Sequence, residues 1–198
     1  MGDITSDSLL SGQRCTARII AKDGGVIAGL EEACALFRAL GVTVSPMVSD
    51  GDRVEPGTTL ATLGGPASAV LLVERTALNI MGRMSGIATM TRRLQEMIES
   101  AGAGCRIAST RKTAPGLRLL DKKAVIIGGG DPHRMTLSDG ILVKDNHLAL
   151  VSVEEAVARA KEYSRYRKVE VEVQSPKEAV RAARAGADIL LFDNMLPG

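Results

Sequence analysis

The sequence predicts an α/β protein whose second half contains a parallel sheet. From residue 105 onward short apolar segments alternate with helical segments, an order typical of parallel strands joined by right-handed crossovers. The segment Ile189–Phe192 is apolar at every position, as a strand covered on both faces would be. No GxGxxG motif follows the first strand, which favours a barrel over a dinucleotide-binding fold. The change of pattern divides the chain into two predicted domains, 1–104 and 105–198.

The first domain is expected to begin with short strands and tight turns. Strands are predicted over residues 42–48 and 58–63, where β-branched and apolar residues predominate. Asp50-Gly51 and Pro56-Gly57 lie between these segments and are dipeptides typical of turns. This half therefore predicts strands connected through glycine-containing turns.

Two helices are expected in the same half. Residues 31–40 carry apolar side chains, among them Phe37 and Leu40, on one side of a helix. From residue 67 to about residue 100, apolar residues again recur near helical spacing. Ser85-Gly86 is expected to kink or break this second, longer helix.

The second domain has clearer signals for the ends of its helices. Ser152 and Ser175 are each followed three residues later by a glutamate, the pattern of a capping box. Pro176 suits the first position of a helix, and Gly186 suits the residue after its end. Between the helices we predict four strands, over residues 105–110, 141–144, 169–173 and 188–193.

Composition and charge exclude several classes of function. The 198-residue chain has no Trp, two Tyr and two Phe, too few aromatic rings for a platform that stacks single-stranded nucleic acid. Its net charge of +2 does not indicate a polyanionic partner. The longest uncharged run, residues 57–73, is too short and too rich in breakers to span a membrane. Without a secretory signal or a CxxC pair, the chain is expected to be a cytoplasmic protein with reduced thiols.

Charged side chains accompany the end of each predicted parallel strand, where such sheets place their sites. Arg111 and Lys112 follow the first strand, Lys144 ends the second, Glu172 is near the end of the third, and Asp193 ends the fourth. Guanidinium and ammonium groups bind carboxylates and phosphates, so this pattern predicts a small substrate with several negative charges. The two carboxylates suit Mg²⁺ or sugar hydroxyls.

A run of three glycines, Gly128–Gly130, precedes two further candidates, His133 and Arg134. Backbone N–H groups of such a run can approach a phosphate, although the run alone also suits an ordinary loop. Between Arg106 and His147, eight Lys or Arg residues stand against four Asp, a local charge of +4. The concentration of cations supports an anionic substrate.

Structural interpretations compete with functional ones at several charged positions. A solvated helix face is favoured for Arg118, Lys122 and Lys123 over contact with a substrate. Strand alternation puts Glu170 and Glu172 on one face, so at most one of them needs to be functional.

Lys144 and the turn near residue 50 each permit a different class of protein. Because a lysine has little structural use at the end of an apolar strand, we favour a functional role for Lys144, whereas His147 is expected to cap a helix. A lysine in this place also permits a Schiff-base aldolase. Residues 50–57 resemble half of a biotinyl or lipoyl carrier domain. No lysine lies between Lys22 and Lys112, so the likeness is interpreted as a shared turn.

Seven segments, in order along nearly the whole chain, resemble quinolinate phosphoribosyltransferases, also called nicotinate-nucleotide pyrophosphorylases (carboxylating). Several of them are long, which makes the resemblance specific. They are ERTALN at 74–79, SGIAT at 85–89, TRKTAPGLR at 110–118, GGGDPHR at 128–134, KDNH at 144–147, EVEV at 170–173 and DNM at 193–195.

The resemblance implies a fold, a reaction and a metal. The implied fold is an N-terminal α/β sandwich followed by part of a TIM-like α/β barrel. The implied reaction makes nicotinate mononucleotide, carbon dioxide and pyrophosphate from quinolinate and 5-phosphoribosyl-1-diphosphate, with Mg²⁺, in NAD biosynthesis. No protein nucleophile is needed for this chemistry, because the pyridine nitrogen of quinolinate attacks the ribose.

The resemblance also implies roles for individual residues. Arg111, His133 and Arg134 are expected to hold the quinolinate carboxylates. Lys112 and Lys144 are expected around the substrate and its phosphates.

The remaining implied roles concern the donor and the subunit interface. Glu172 and Asp193 are expected to engage the ribose hydroxyls and the metal, and with Lys112 and Lys144 they form the expected catalytic set. Arg75 resembles an arginine that enters the site of a neighbouring subunit, which implies a homodimer or a larger homo-oligomer.

The chain departs from the family pattern at both ends. The usual N-terminal helical lead is shortened, and the barrel strands that carry later phosphate-binding loops are not present. A chain truncated in this way is expected to be a poor enzyme by itself. The alternatives are a molybdenum-associated relative of the same fold, which the KDNH segment disfavours, and a truncated, non-catalytic fragment.

Overall fold

The computed structural model describes residues 2–196. The chain forms two compact units, Met1–His133 and Arg134–Gly198, and each is described by itself. The division into domains at residue 104 stays a prediction. Among the described residues no helix is long and apolar enough to cross a membrane.

The first unit contains an antiparallel three-stranded sheet. In this sheet β5 (Thr59–Pro66) lies between β1 (Arg14–Ile20) and β3 (Thr43–Pro46). A separate pair is formed by β2 (Gly25–Val26) and β4 (Arg53–Val54). The strand predicted to stop before Gly64 continues to Pro66, because those residues pair with the first residues of β1.

Four helices belong to this unit: α1 (Ile4–Leu9), α2 (Leu30–Ala39), α3 (Ala67–Ser100) and α4 (Arg118–Ile127). The core between the sheet, α2 and α3 buries apolar side chains, among them Phe37, Leu60, Leu63, Ala77 and Met81. The amphipathic helix predicted over residues 31–40 is therefore confirmed as α2.

The break considered at Ser85-Gly86 does not occur, because α3 runs continuously through both residues. The Ser85 side chain is used for tertiary contact instead. Its Oγ accepts from the N–H of Ala28 at 3.0 Å and donates to the carbonyl of Ala28 at 3.1 Å. These bonds attach the middle of α3 to the segment that follows β2.

The second unit contains a parallel sheet in the order β6 (Ile141–Val143), β7 (Val169–Val173), β8 (Ile189–Phe192). Its helices are α5 (Asp145–Leu148), α6 (Val153–Tyr163) and α7 (Pro176–Ala185). The core is formed by buried valines and alanines of the sheet, α6 and α7: Val143, Val153, Val157, Val169, Val171, Val173, Ala179 and Ala182. The predicted order of strands and helices is confirmed for this unit.

The predicted helix ends are also confirmed. The Ser152 and Ser175 hydroxyls each accept from the backbone N–H three residues further on, at 3.2 Å. Pro176 is the first residue of α7, and Gly186 ends it with a φ of 96° in the left-handed region, where a side chain would be strained.

Two strand expectations differ from the structure. Residues 105–110 do not form a strand, and only Ala108 makes an isolated parallel bridge, to Asp131. The segment Ile189–Phe192 is a strand, but it is not buried on both faces, since Ile189 is 41% and Phe192 54% exposed. The reason is that β8 lies at the end of its sheet, with no partner on its outer edge among residues 2–196.

Candidate active site

In the first unit, three of the expected site residues follow two extended segments that lie side by side. Ser109 donates its N–H to the Asp131 carbonyl at 3.0 Å, and Asp131 donates to the Ile107 carbonyl at 2.7 Å. The bridge is parallel, so the residues that follow both segments leave at the same edge. Arg111 and Lys112 follow one segment, and His133 follows the other.

Arg111 lies in a tight turn and has an unused donor. The N–H of Lys112 bonds to the Thr110 hydroxyl at 3.2 Å, and the N–H of Thr113 to the Arg111 carbonyl at 3.0 Å. Arg111 is half-buried, and its Nε is buried with no hydrogen-bond partner. Lys112 is exposed. A buried guanidinium nitrogen without a protein acceptor is available to bond to an anion or a water molecule.

His133 has an unusual backbone conformation. Its φ is 51°, in the left-handed region, and its N–H donates to Oδ1 of Asp131 at 2.6 Å. Among the described residues other than glycine, Asn194 alone shares a positive φ, at 52°. It follows directly after Asp193. Non-glycine residues in this region cost free energy and cluster at functional sites, so both positions support the predicted site.

The phosphate-cradling interpretation of Gly128–Gly130 is wrong. All three N–H groups bond to carbonyls of the last turns of α4, those of Ala124, Ile126 and Val125 respectively, at 2.9–3.0 Å. A Cβ on Gly128 would lie 2.6 Å from the Ala88 carbonyl oxygen of α3. The glycines are therefore needed to end α4 close to α3, and their donors are not available to a ligand.

The solvated face expected on α4 is also wrong, most clearly for Lys122. This side chain is fully buried, with 0% exposure. Its Nζ donates to the Ser109 carbonyl at 3.0 Å, to the Ser109 hydroxyl at 3.4 Å and to the Pro132 carbonyl. An ammonium group can be buried where several acceptors surround it. Arg118 is not free either, since its Nε donates to the Thr113 hydroxyl at 3.1 Å.

Asp121, the residue before Lys122, is buried in an ion pair. Arg83 of α3 donates to both of its carboxylate oxygens, Nε at 2.7 Å and Nη2 at 2.8 Å. The hydrogen bond from Arg83 holds the pKa of Asp121 below its usual 3.8, although burial opposes the shift. Because the pKa is lowered by folding, the pair stabilises the fold above about pH 4, and this contribution is lost as the pH falls through the lowered value.

Lys123 is paired with a group of acidic residues. Its Nζ lies 2.6 Å from Glu31 and 2.7 Å from Glu32. Burial alone would lower the pKa of Lys123, but the two carboxylates outweigh it and raise the pKa. Glu31, Glu32 and Asp50 lie close enough together to resemble a cation site, which the sequence analysis did not predict. The ammonium of Lys123 already bonds to two of these three carboxylates, those of Glu31 and Glu32.

Arg75 lies on α3 and is exposed. In the first unit an open groove of about 450 Å³ lies beside β1, β2 and α3, and none of the predicted site residues lines it. The predicted site therefore rests on the segments around Arg111 and His133, not on this groove.

In the second unit, Lys144 and Glu172 form an ion pair, and Asp193 lies at the same edge of the sheet as Glu172. Lys144 Nζ lies 3.3 Å from Oε2 of Glu172, whose side chain is 11% exposed. The N–H of Asp193 donates to the carbonyl of Val173 at 3.0 Å. Since β7 and β8 are parallel neighbours, both carboxylates lie at the same edge of the sheet, as predicted.

Two further residues singled out in the sequence, Arg134 and His147, also lie in the second unit. Arg134 is half-buried, Nη1 donates to the Gly140 carbonyl at 3.1 Å, and Nε is buried without a partner. His147 Nδ1 accepts from the N–H of Lys144 at 2.9 Å. The predicted structural role of His147 is confirmed, because this bond fixes the backbone where β6 passes into α5.

The described residues form an α/β protein: in the first unit cations follow a parallel bridge, and in the second unit an ion pair lies at the end of a parallel sheet. The model of the N-terminal domain of quinolinate phosphoribosyl transferase matches residues 3–85, and that of its C-terminal domain matches residues 87–198. The chain belongs to the quinolinate phosphoribosyl transferase family.

Individual relatives agree over the whole chain. The "Probable nicotinate-nucleotide pyrophosphorylase (carboxylating)" of Methanothermobacter thermautotrophicus is 48% identical over an alignment of 198 positions, which covers 98% of this chain and 71% of the relative. NadC from Streptococcus pyogenes is 39% identical, with a TM-score of 0.90 over 98% of this chain and 70% of that structure. The nicotinate-nucleotide pyrophosphorylase from Francisella tularensis is 34% identical, with a TM-score of 0.93 over 99% and 70%.

Proposed function

We propose that the protein transfers a phosphoribosyl group from 5-phosphoribosyl-1-diphosphate to quinolinate, with release of carbon dioxide and pyrophosphate and formation of nicotinate mononucleotide. One observation carries the proposal. Four buried side-chain nitrogen or oxygen atoms lack a partner among the described residues, and two of them are the Nε atoms of Arg111 and Arg134. Family membership and these two donors together favour an enzyme that binds a dicarboxylate. They disfavour the alternative classes, an aldolase or a carrier domain.

The acceptor substrate has two carboxylates, and the arginines suit both. Arg111 and Arg134 each offer a planar fork of donors, which binds a carboxylate more specifically than an ammonium group does. His133 would add a third contact. With the carboxylates held, the pyridine nitrogen is the remaining nucleophile on the ring, and its orientation toward the ribose determines the rate.

The donor substrate is a polyanion with two ribose hydroxyls. Lys112, which is exposed, and Lys144 would hold its phosphates as point charges. Glu172 and Asp193 would accept hydrogen bonds from the ribose hydroxyls. Lys144 Nζ already lies 3.3 Å from Glu172, and this ion pair argues against a role as the nucleophile of a Schiff-base aldolase.

The same two carboxylates fit Mg²⁺, which proteins hold through one or two carboxylates together with substrate phosphates. Each of them accepts a contact already, Glu172 from Lys144 and Asp193 from Asn194 Nδ2 at 3.2 Å. An ionised carboxylate has acceptor sites beyond these. When bound, the ion supplies positive charge near the leaving diphosphate.

Charge placement performs the chemistry without a protein nucleophile. As the bond from the anomeric carbon to the diphosphate breaks, the ribose becomes cation-like and the ring nitrogen bonds to it. Glu172 and Asp193 stabilise the positive ribose electrostatically. The ring nitrogen is then quaternary, and it stabilises the electron pair left on the ring when the adjacent carboxylate departs as carbon dioxide. A proton from solvent completes nicotinate mononucleotide.

The proposal is tested by measuring nicotinate mononucleotide formation from quinolinate, 5-phosphoribosyl-1-diphosphate and Mg²⁺. Two proteins are compared, the 198-residue chain and the same chain with the further barrel strands of a relative fused after residue 198, here called the extended chain. Since β8 has no partner on its outer edge among residues 2–196, we expect the extended chain to aggregate less. We also expect it to be more active, because the shorter chain is expected to be a poor enzyme by itself. Product from neither protein, although both are folded and bind quinolinate, contradicts the proposed reaction.

The proposal includes a cytoplasmic location and a homodimer, or larger homo-oligomer, in which Arg75 completes the partner's site. Arg75 is exposed on α3, so it is available to a second subunit. In the extended chain, we expect mixtures of Arg75→Ala and Arg111→Ala subunits to regain activity, because one hybrid site per dimer has both arginines. Turnover after subunit exchange measures this. Exchange demonstrated by mass spectrometry without regained activity would refute the shared site.

A further inference from the structure

We propose that side chains at the beginning of α4 fix the position of the loop formed by residues 110–113, because they bond to residues at both ends of that loop. We call this group of side chains the clamp. The clamp consists of Asp121, Lys122 and Arg118. This inference rests on the proposed function, since Arg111 and Lys112 of that loop are expected to contact the substrates. The clamp residues lie on a helix and are themselves assigned no contact with a substrate.

Lys122 holds the residues that precede the loop. Its fully buried ammonium bonds to both oxygens of Ser109, two residues before Arg111. It also bonds to the carbonyl of Pro132, the residue before His133. One cation therefore joins the two segments that carry Arg111 and His133, at a point where their backbone bridge ends.

Asp121 and Arg118 hold the residues that follow Arg111. Asp121 Oδ2 accepts from the N–H of Ala114 at 3.3 Å, and Arg118 Nε donates to the Thr113 hydroxyl at 3.1 Å. Asp121 is fixed in turn by the two bonds from Arg83 of α3. The loop is thus tied to α4 on its downstream side, and α4 is tied to the longest helix of the unit.

The physical consequence is a substrate loop with little freedom to move. A guanidinium binds a carboxylate well only when its fork is held in the right orientation, and a displacement of about 1 Å can cost roughly a hundredfold in rate. Arg111 makes no hydrogen bond through its Nε, so that donor cannot fix the side chain before the substrate arrives. The clamp instead fixes the backbone of residues 110–113, and this backbone orients the Arg111 side chain. Lys122 and Asp121 are positioning residues for Arg111.

The test compares Lys122→Met and Asp121→Asn with Lys123→Met as the matched control. Lys123 is the next residue of α4 and carries the same charge, but it bonds to Glu31 and Glu32 and not to the loop. Calorimetry on the 198-residue chain measures the affinity for quinolinate. Amide hydrogen exchange measures the protection of residues 109–114 relative to the core of α2 and α3.

We expect Lys122→Met and Asp121→Asn to weaken quinolinate binding by about tenfold to a hundredfold and to speed exchange in residues 109–114. Exchange in α2 and α3 should remain slow, which a general loss of stability would not allow. In the extended chain, KM for quinolinate should rise more than KM for the phosphoribosyl donor. Lys123→Met should leave these quantities within about twofold.

Unchanged quinolinate affinity and unchanged exchange in a folded Lys122→Met protein would overturn the clamp. If Lys122→Met does not fold, Ser109→Ala removes one acceptor of Lys122 and keeps the buried charge, and the same two readouts apply to it. If neither the unmodified 198-residue chain nor the extended chain binds quinolinate, the proposed function fails. The exchange measurement then still decides whether α4 holds the loop.

Discussion

Replacement of Arg111 by alanine should weaken quinolinate binding by about 1.5–3 kcal/mol, which corresponds to roughly tenfold to more than a hundredfold in affinity. The reason is that the variant removes a charge-assisted contact with one carboxylate in a place that excludes much of the water. Nicotinate has one carboxylate fewer, so its binding should weaken less. Calorimetry with both ligands measures the difference.

The matched control is Arg106→Ala. Arg106 is exposed, lies five residues before Arg111 and carries the same charge, so its removal changes the net charge equally. We expect little change in either affinity for this control, because an exposed charge acts weakly at a distance in water. Equal weakening of quinolinate and nicotinate by Arg111→Ala would remove the argument for a dicarboxylate. Arg134→Ala should behave as Arg111→Ala does, since its Nε is unpartnered in the same way.

Replacement of Glu172 by glutamine should raise the requirement for the phosphoribosyl donor or for Mg²⁺ by roughly tenfold to a hundredfold. The change keeps the size of the side chain but removes the charge that faces Lys144 at 3.3 Å and that would accept from a ribose hydroxyl. Quinolinate binding should change little, because Arg111 and Arg134 supply it. Initial rates in the extended chain, with each substrate and Mg²⁺ varied in turn, measure the effect.

Glu170→Gln is the comparison for this experiment. Glu170 lies two residues earlier on β7 and is buried, 7% exposed. Its replacement should lower the midpoint of thermal unfolding without a selective effect on the donor. A collapse of quinolinate affinity in Glu172→Gln would show that Glu172 has been assigned to the wrong substrate.

Features with a local cause were predictable from the sequence. Ser152, Ser175 and Gly186 end their helices through bonds to residues within a few positions, and such bonds leave a pattern in the sequence. The charged residues at strand ends were also predictable, because the direction of parallel strands alone brings Glu172 and Asp193 to one edge. This prediction required only the correct order of strands and helices along the chain.

Features with a distant cause were not predictable in this way. Ile189–Phe192 is apolar enough for a buried strand, but its exposure depends on its place at the end of the sheet. Gly128 is required by the carbonyl of Ala88, forty residues away in the chain. No pattern near either segment contains that information.

Lys122 is an intermediate case. Buried Val125 lies three residues after it, and buried Ala124 lies three residues after Asp121, so helical spacing places both charged residues near the buried side of α4. That spacing was a usable signal. It was not sufficient, because adjacent charged residues on a helix usually face solvent. Burial of an ammonium requires acceptors that only the fold supplies, here Ser109 and Pro132.

The central claim, that this chain's site joins a phosphoribosyl group to quinolinate and removes one carboxylate, is tested most directly by following the carbon. Quinolinate labelled only in the carboxylate beside the ring nitrogen is incubated with the extended chain, the phosphoribosyl donor and Mg²⁺. The account predicts one labelled carbon dioxide for each nicotinate mononucleotide formed, and none when the donor is omitted. Labelled carbon dioxide without the donor, or a mononucleotide that keeps the label, would contradict it.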